Sequence, residues 1–243
     1  MSNTVPSIAP VARRSALLLA GAGALAWLTS ARRAPPITLG RGAKDELATP
    51  LELAQFLELG NALAKRLVKD GSALGQDRYL HALAALAVRL SDVPVPEMKA
   101  QSTPGHEIGF NPGGETFTVL HWRLAPGAEI RDHVHAYGNV VTLLLDGDVR
   151  IRNHEIVGDR DGGARGPFRV RRTCEAFLRP GGINLVSLER DSIHGFRAGP
   201  KGARGLDITT RIRERTPTPD LQIAAEPIDA ASALYEAKWA DGG

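Results

Sequence analysis

A chain of 243 residues with 43% hydrophobic and 23% charged content can bury a core in one large or two small domains, and its composition is that of a globular protein. A formal charge of +3, with no stripe of alternating aromatic and basic side chains, gives no ground for a nucleic-acid partner. The lone Cys174 excludes an internal disulfide, and 26 glycines with 16 prolines favour short strands joined by turns over a helical bundle.

Residues 1–31 read as an address. Arg13 and Arg14 precede an apolar run of small residues, 16–28, and Thr29-Ser30-Ala31 suits signal-peptidase cleavage. That run is too short to span a bilayer comfortably, so no stable membrane span is expected in the mature form. The paired arginines resemble a twin-arginine leader, which implies a bacterial periplasmic or exported protein; without it the chain stays in the cytoplasm. Ala16-Leu17 stand where Phe-Leu is usual, and Arg32-Arg33 follow the apolar run.

Residues 32–48 form a linker. A helical hairpin is expected over 49–92: Thr49 as N-cap and Pro50 at the first turn open one helix. Leu53, Phe56, Leu57, Leu63, Ala64 and Leu67 recur at helical spacing, and Gly71 ends it. A second helix over 76–90 places Leu80, Leu83, Ala84, Ala87 and Leu90 on one face and stops before Pro94 and Pro96. His81 within it reads as a surface or packing residue. The hairpin is expected to cap the following sheet or to make an oligomer contact in a homo-oligomer.

From 100 to 215 the periodicity is that of strands, at 116–124, 140–145, 149–153, 168–171, 175–178, 183–188 and 206–212. Turns such as Asp146-Gly147-Asp148 and Arg179-Pro180-Gly181-Gly182 separate them. So many short strands predict a sandwich or a double-sheet barrel, mainly β in class. Residues 216–243 read as a C-terminal tail in which 230–239 has the composition of a terminal helix.

Within the strand region lies Gly127-Ala-Glu-Ile-Arg-Asp-His133-Val-His135, followed at a distance by Gly147. Two histidines one residue apart on an extended strand face the same side and can offer two imidazoles to one transition-metal ion. The spacing resembles the first motif of the cupins, Gly-x5-His-x-His-x4-Glu-x6-Gly, except that Val140 occupies the Glu position. The resemblance implies a double-stranded β-helix, or jelly-roll barrel, preceded by the hairpin. Loss of the Glu leaves either a dead site or three histidines, the third being His194 in Ile193-His-Gly-Phe-Arg-Ala198.

A cupin centre of three histidines resembles the thiol dioxygenases, above all the cysteamine and N-terminal-cysteine branch, which Leu120-His-Trp122, 145–151 and Leu206-Asp207-Ile208 also suggest. The resemblance implies Fe(2+), or another divalent transition metal, on His133, His135 and His194. It further implies Asp207 in a supporting role beside a ligand histidine, and Trp122, Tyr137 and Val140 as pocket walls. The substrates would be a small thiol and O2, giving a sulfinic acid. Arg211-Ile-Arg213 replaces the Pro-Pro-Tyr segment of that branch. The Ser-x-His-x-Tyr relay of the free-cysteine branch is absent, with Gly205, Asp207 and Thr209 in its place, so free cysteine is disfavoured. Two other readings stay open: another metal-dependent cupin enzyme, namely a non-thiol dioxygenase, isomerase or lyase, and a non-catalytic cupin that senses a ligand or a metal.

Overall fold

The two helices of the hairpin turn one apolar stripe each towards a sheet, and that stripe decides where they sit. Helix α1, Leu53–Lys69, buries Phe56, Gly60, Ala64 and Leu67, a spacing that keeps one face inward. Helix α2, Ala73–Ala87, starts where the Ser72 hydroxyl accepts from the amide of Gly75 at 3.1 Å, and buries Leu80, Leu83, Ala84 and Ala87. Both start points differ from the sequence reading. Leu51 is buried and pairs its backbone with the end of α2, its amide donating to Arg89 O at 2.8 Å, so Thr49-Pro50 cannot open α1 and Glu52 is the cap. His81 is exposed.

This computed structural model describes residues 49–111, 113, 116–158, 166–214 and 220–240. The expected leader, 1–31, and the expected linker, 32–48, lie outside them. Among the described residues, no helix is long and apolar enough to cross a membrane.

Ten strands follow among the described residues, in chain order: β1 Lys99–Ala100, β2 His106–Asn111, β3 Phe117–Leu124, β4 Glu129–Val134, β5 Gly138–Val157, β6 Phe168–Leu178, β7 Ile183–Val186, β8 Ile193–Arg211, β9 Leu221–Ile223 and β10 Leu234–Trp239. Two of them are far longer than the sequence suggested. The Asp146-Gly147-Asp148 turn does not end a strand; β5 runs through it, paired throughout with β8, with register shifts at 144–146 and 147–149. Gly147 and Gly202 both take φ +77° at this corner, and a Cβ on Gly147 would meet Gly202 O at 2.1 Å. Glycine is required there by conformation and by space.

The corner lets β5 and β8 each serve two sheets. One sheet runs β1-β2-β3, then the later half of β8, the first half of β5 and β7. The other runs β4, the first half of β8, the later half of β5, β6, β10 and β9. The result is a double-stranded β-helix of the cupin type, mainly β, with the helical hairpin before it. The outer face of the first sheet (Phe117, Val119, Val141, Leu143, Leu206, Ile208) packs on the hairpin in one core. The contact is close: Phe56 meets Phe117 edge-on with centroids 6.0 Å apart, and a Cβ on Gly60 would lie 2.8 Å from the Phe117 ring. The hairpin is therefore a cap on the sheet. The inner faces form a second core of Trp122, Leu124, Leu144, Val149, Ile151, Leu178 and Phe196.

The C-terminal segment corrects the expected helix at 230–239. Residues 234–239 are β10, with Tyr235 and Ala237 buried and Glu236 and Lys238 exposed. That alternation lets the strand pair with β6, and the pairing overrides the helical preference of Ala, Glu and Lys.

Candidate metal centre

His133 lies on β4, His135 just past its end, and His194 near the start of β8, directly opposite His133 in the register. The amide of His135 donates to Ser192 O at 2.8 Å, so the segment that leads into His194 also holds His135. The three rings form a triangle with centroids 4.7 to 4.8 Å apart. One nitrogen from each lies within 4.8 Å of the others, and among the described residues these are the one such group of His, Cys, Asp or Glu.

Electrostatics favours the ligand form of each ring. Burial lowers the pKa of His133, and lowers those of His135 and His194 well below the ordinary histidine value. The neighbouring imidazoles push His135 and His194 down further, while the Arg131 carbonyl and Asp220 partly offset the effect at His133. All three are neutral at pH 7. Nδ1 of His133 lies 2.8 Å from Arg131 O, and a carbonyl can only accept, so Nδ1 carries the proton and Nε2 keeps its lone pair.

The fit to a metal rests on the other two. Nε2 of His135 and Nε2 of His194 are 2.9 Å apart. Two nitrogens bound at right angles to one ion stand about 3.0 Å apart, given metal–nitrogen bonds of about 2.1 Å. The donor set suits a divalent transition metal. The position five residues after His135 brings no carboxylate: Val140 is fully buried, on the inner face with Thr142.

No hydrogen bond joins Asp207 to a histidine of the cluster. Its carboxylate accepts from the Thr142 hydroxyl at 2.7 Å, whereas Nδ1 of His135 and of His194 have no hydrogen-bond partner. Thr142, the register partner of Asp207 on β5, supplies that bond instead of a histidine. Burial pushes Asp207 up to about 6, opposed first by Thr142 and then by the Trp122 indole, which lies outside hydrogen-bond geometry. A folded-state pKa above the unfolded value means that the ionised form destabilises the protein, and does so most above pH 6. Asp207→Asn is therefore expected to raise stability more at pH 8 than at pH 5, by about 1 kcal/mol, in urea titrations at the two pH values. An equal change at both would show that Asp207 is not held against ionisation.

Trp122 is buried in the inner core, 4.9 Å from Phe196, which in turn stands edge-on to His194 at 5.4 Å. It lies one ring removed from the histidines, and a Cβ on Gly205 would strike it at 2.3 Å. Tyr137 is half-buried, and its carbonyl accepts from the amides of Ile212 and Arg213.

Of the remaining histidines, two are engaged away from the centre. His121 takes a hydrogen bond from Asn111, and His154 packs edge-on at 6.2 Å against Tyr235. His106 sits opposite Leu124 on β2 and so shares the inward face of Trp122. Its Nε2 is buried without a partner, and its pKa is lowered by burial and then by His133. Only the register of β2 shows this, and nothing in its local sequence marks that strand.

No protein-family model and no curated protein matches the chain. Solved structures do resemble it. KdgF from Halomonas sp. shares 14% identity over 49% of this chain and 88% of that one, with a TM-score of 0.36. A protein with a double-stranded β-helix domain from Klebsiella pneumoniae subsp. pneumoniae shares 16% over the same fractions, at 0.37. An oxalate oxidase in complex with glycolate shares 18% over 47% of this chain and 56% of that one, at 0.36. Likeness this slight says nothing of ligand or chemistry in this chain.

Proposed function

We propose that this chain is an iron(II)-dependent dioxygenase of a small thiol, converting R–SH and O2 into the sulfinic acid R–SO2H. The observation that carries it is the donor set: three neutral imidazoles converge, that of His133 half-buried and those of His135 and His194 buried, with Val140 and no carboxylate at the fourth position. Three neutral ligands leave the charge of a divalent ion uncompensated, so the site draws an anion such as a thiolate more strongly than a carboxylate-bearing site would. Iron(II) held there would lower the pKa of the thiol and supply the redox chemistry that O2 requires.

The chain's own residues have simpler tasks. His133, with its tautomer set by Arg131 O, and His135 and His194 would hold the ion. Phe196 and Val140 keep neighbouring walls apolar. No protein base is needed for the thiol proton once the sulfur is bound.

Iron-loaded protein is expected to consume one O2 per thiol with at least one of cysteamine, 3-mercaptopropionate or a Cys-initiated peptide, and the product should gain about 32 Da, the mass of two oxygens. Iron-replete protein that consumes no O2 with any of them would exclude the thiol reading. We propose also that residues 1–31 direct export. The mature protein should then be recovered from the periplasm beginning near residue 32, and recovery of full-length chain from the cytoplasm would refute it.

A further inference from the structure

Between Ile130 and His133, β4 advances three residues while the paired stretch of β8, from Phe196 to His194, advances two. Strand side chains alternate between faces, and Ile130 packs inward on the core that contains Phe196. Unbroken alternation from Ile130 would turn Asp132 inward and His133 outward. The extra residue of this β-bulge reverses both, and that reversal brings the His133 ring to His135 and His194.

The displaced Asp132 is not left loose on the outer face. It is 8% exposed, and its carboxylate lies over the backbone of β8: a Cβ on Gly195 would meet Asp132 Oδ1 at 2.6 Å and its amide nitrogen at 2.9 Å. Beyond that glycine, Oδ2 accepts from Arg152 Nη2 on β5 at 3.1 Å, and Arg152 is the register partner of Gly195. His154 Nδ1, at 3.8 Å from Oδ1, is too far to replace that bond. The ion pair thus spans three adjacent strands, β4, β8 and β5, behind the histidines.

We infer that Asp132, Gly195 and Arg152 form a strap across the back of the three-histidine centre, which locks the β4 bulge and so holds His133 in the ligand position. The inference rests on reading the three histidines as a metal centre. Asp132 and Arg152 are positioning residues, since they act through His133. Gly195 is required because any side chain there would occupy the place of the carboxylate.

The test uses the full chain loaded with cobalt(II), whose visible absorption reports ligand geometry. Asp132→Asn and Arg152→Met are each expected to weaken cobalt affinity, measured against a competing chelator, about ten- to a hundredfold, the range for residues that orient metal ligands. Each should also alter the cobalt spectrum, and the double variant should be no worse than either single one. Arg152→Lys should restore most of the affinity. Unchanged affinity or an unchanged spectrum, with only a lower melting temperature, would reduce the strap to a structural contact and overturn the proposal. Should Asp132→Asn fail to fold, Arg152→Met carries the same test, since the Arg152 side chain is 39% exposed. Wild-type protein that binds no cobalt would refute the metal centre itself, and the strap with it; cobalt bound normally by wild type and variants alike refutes the strap alone.

Discussion

Replacing His194 with alanine is expected to weaken metal binding at least about a hundredfold while the barrel remains folded, because even residues that merely orient a ligand are worth ten- to a hundredfold. His194 is fully buried, and its Nε2 is 2.9 Å from that of His135. Alanine there leaves two imidazoles, both from one short stretch of chain, with neither a carboxylate at Val140 nor another His, Cys or acidic residue converging on them among the described residues. The cost to folding is smaller. His194 Nδ1 makes no hydrogen bond, so the loss is packing against Phe196 and the Nε2 contact with His135, about 1–3 kcal/mol out of the 5–15 typical of a domain. Metal content after gel filtration, with a melting curve on the same sample, separates the two effects. His81→Ala, on the exposed face of α2, is the control and should retain full metal. A His194→Ala variant with undiminished metal content would remove the three-histidine centre.

That centre was legible in the sequence because its information is local. The spacing of Gly127, His133, His135 and Gly147 is carried by β4 with its flanking turns and the first half of β5, and His194 sits in a second short motif. The hairpin was legible for the same reason, since the spacing from Phe56 to Leu67 is a property of one helix. What the sequence hid depends on pairing between distant strands. Nothing in Ile130-Arg-Asp-His133 announces a bulge, yet the bulge alone turns His133 inward. Gly147 does adopt the left-handed backbone that its turn signature implies, but pairing with β8 continues through it, so two expected strands are one. Asp207 was placed beside a ligand histidine by the family resemblance alone; its bond to Thr142 depends on the pairing of β8 with β5, which local sequence does not show.

Acid should unfold the metal-free protein well above the pH at which ordinary carboxylates are protonated. His121 and His154 are buried outside the metal centre, with pKa values lowered from 6.5 to about 4 and about 3, first by burial and then by nearby arginines. Each folded-state pKa lies below its unfolded value, so each stabilises the fold fully above pH 6.5 and loses that contribution as pH falls towards the folded pKa. His121 shows why protonation is resisted. Its Nε2 accepts from Asn111 Nδ2 at 2.9 Å, and an added proton would set donor against donor. Asp207 works in the opposite direction, since its raised pKa makes the folded protein gain protons between pH 6 and 3.8. Asp132, whose pKa burial also raises, acts on the same side as Asp207. Each group shifts stability by about 1.4 kcal/mol per pH unit within its window, so His121 and His154 at least balance the two aspartates between pH 6 and 4. His106 and the three central histidines, all shifted downwards, add to the same side. The net loss from pH 7 to pH 4.5 is several kcal/mol, a large part of a typical domain's stability. The urea midpoint of metal-free protein should therefore fall steadily from pH 7 to pH 4.5, and His154→Gln should flatten that slope; a midpoint that holds or rises over the range would mean that these histidines are not buried in the neutral form.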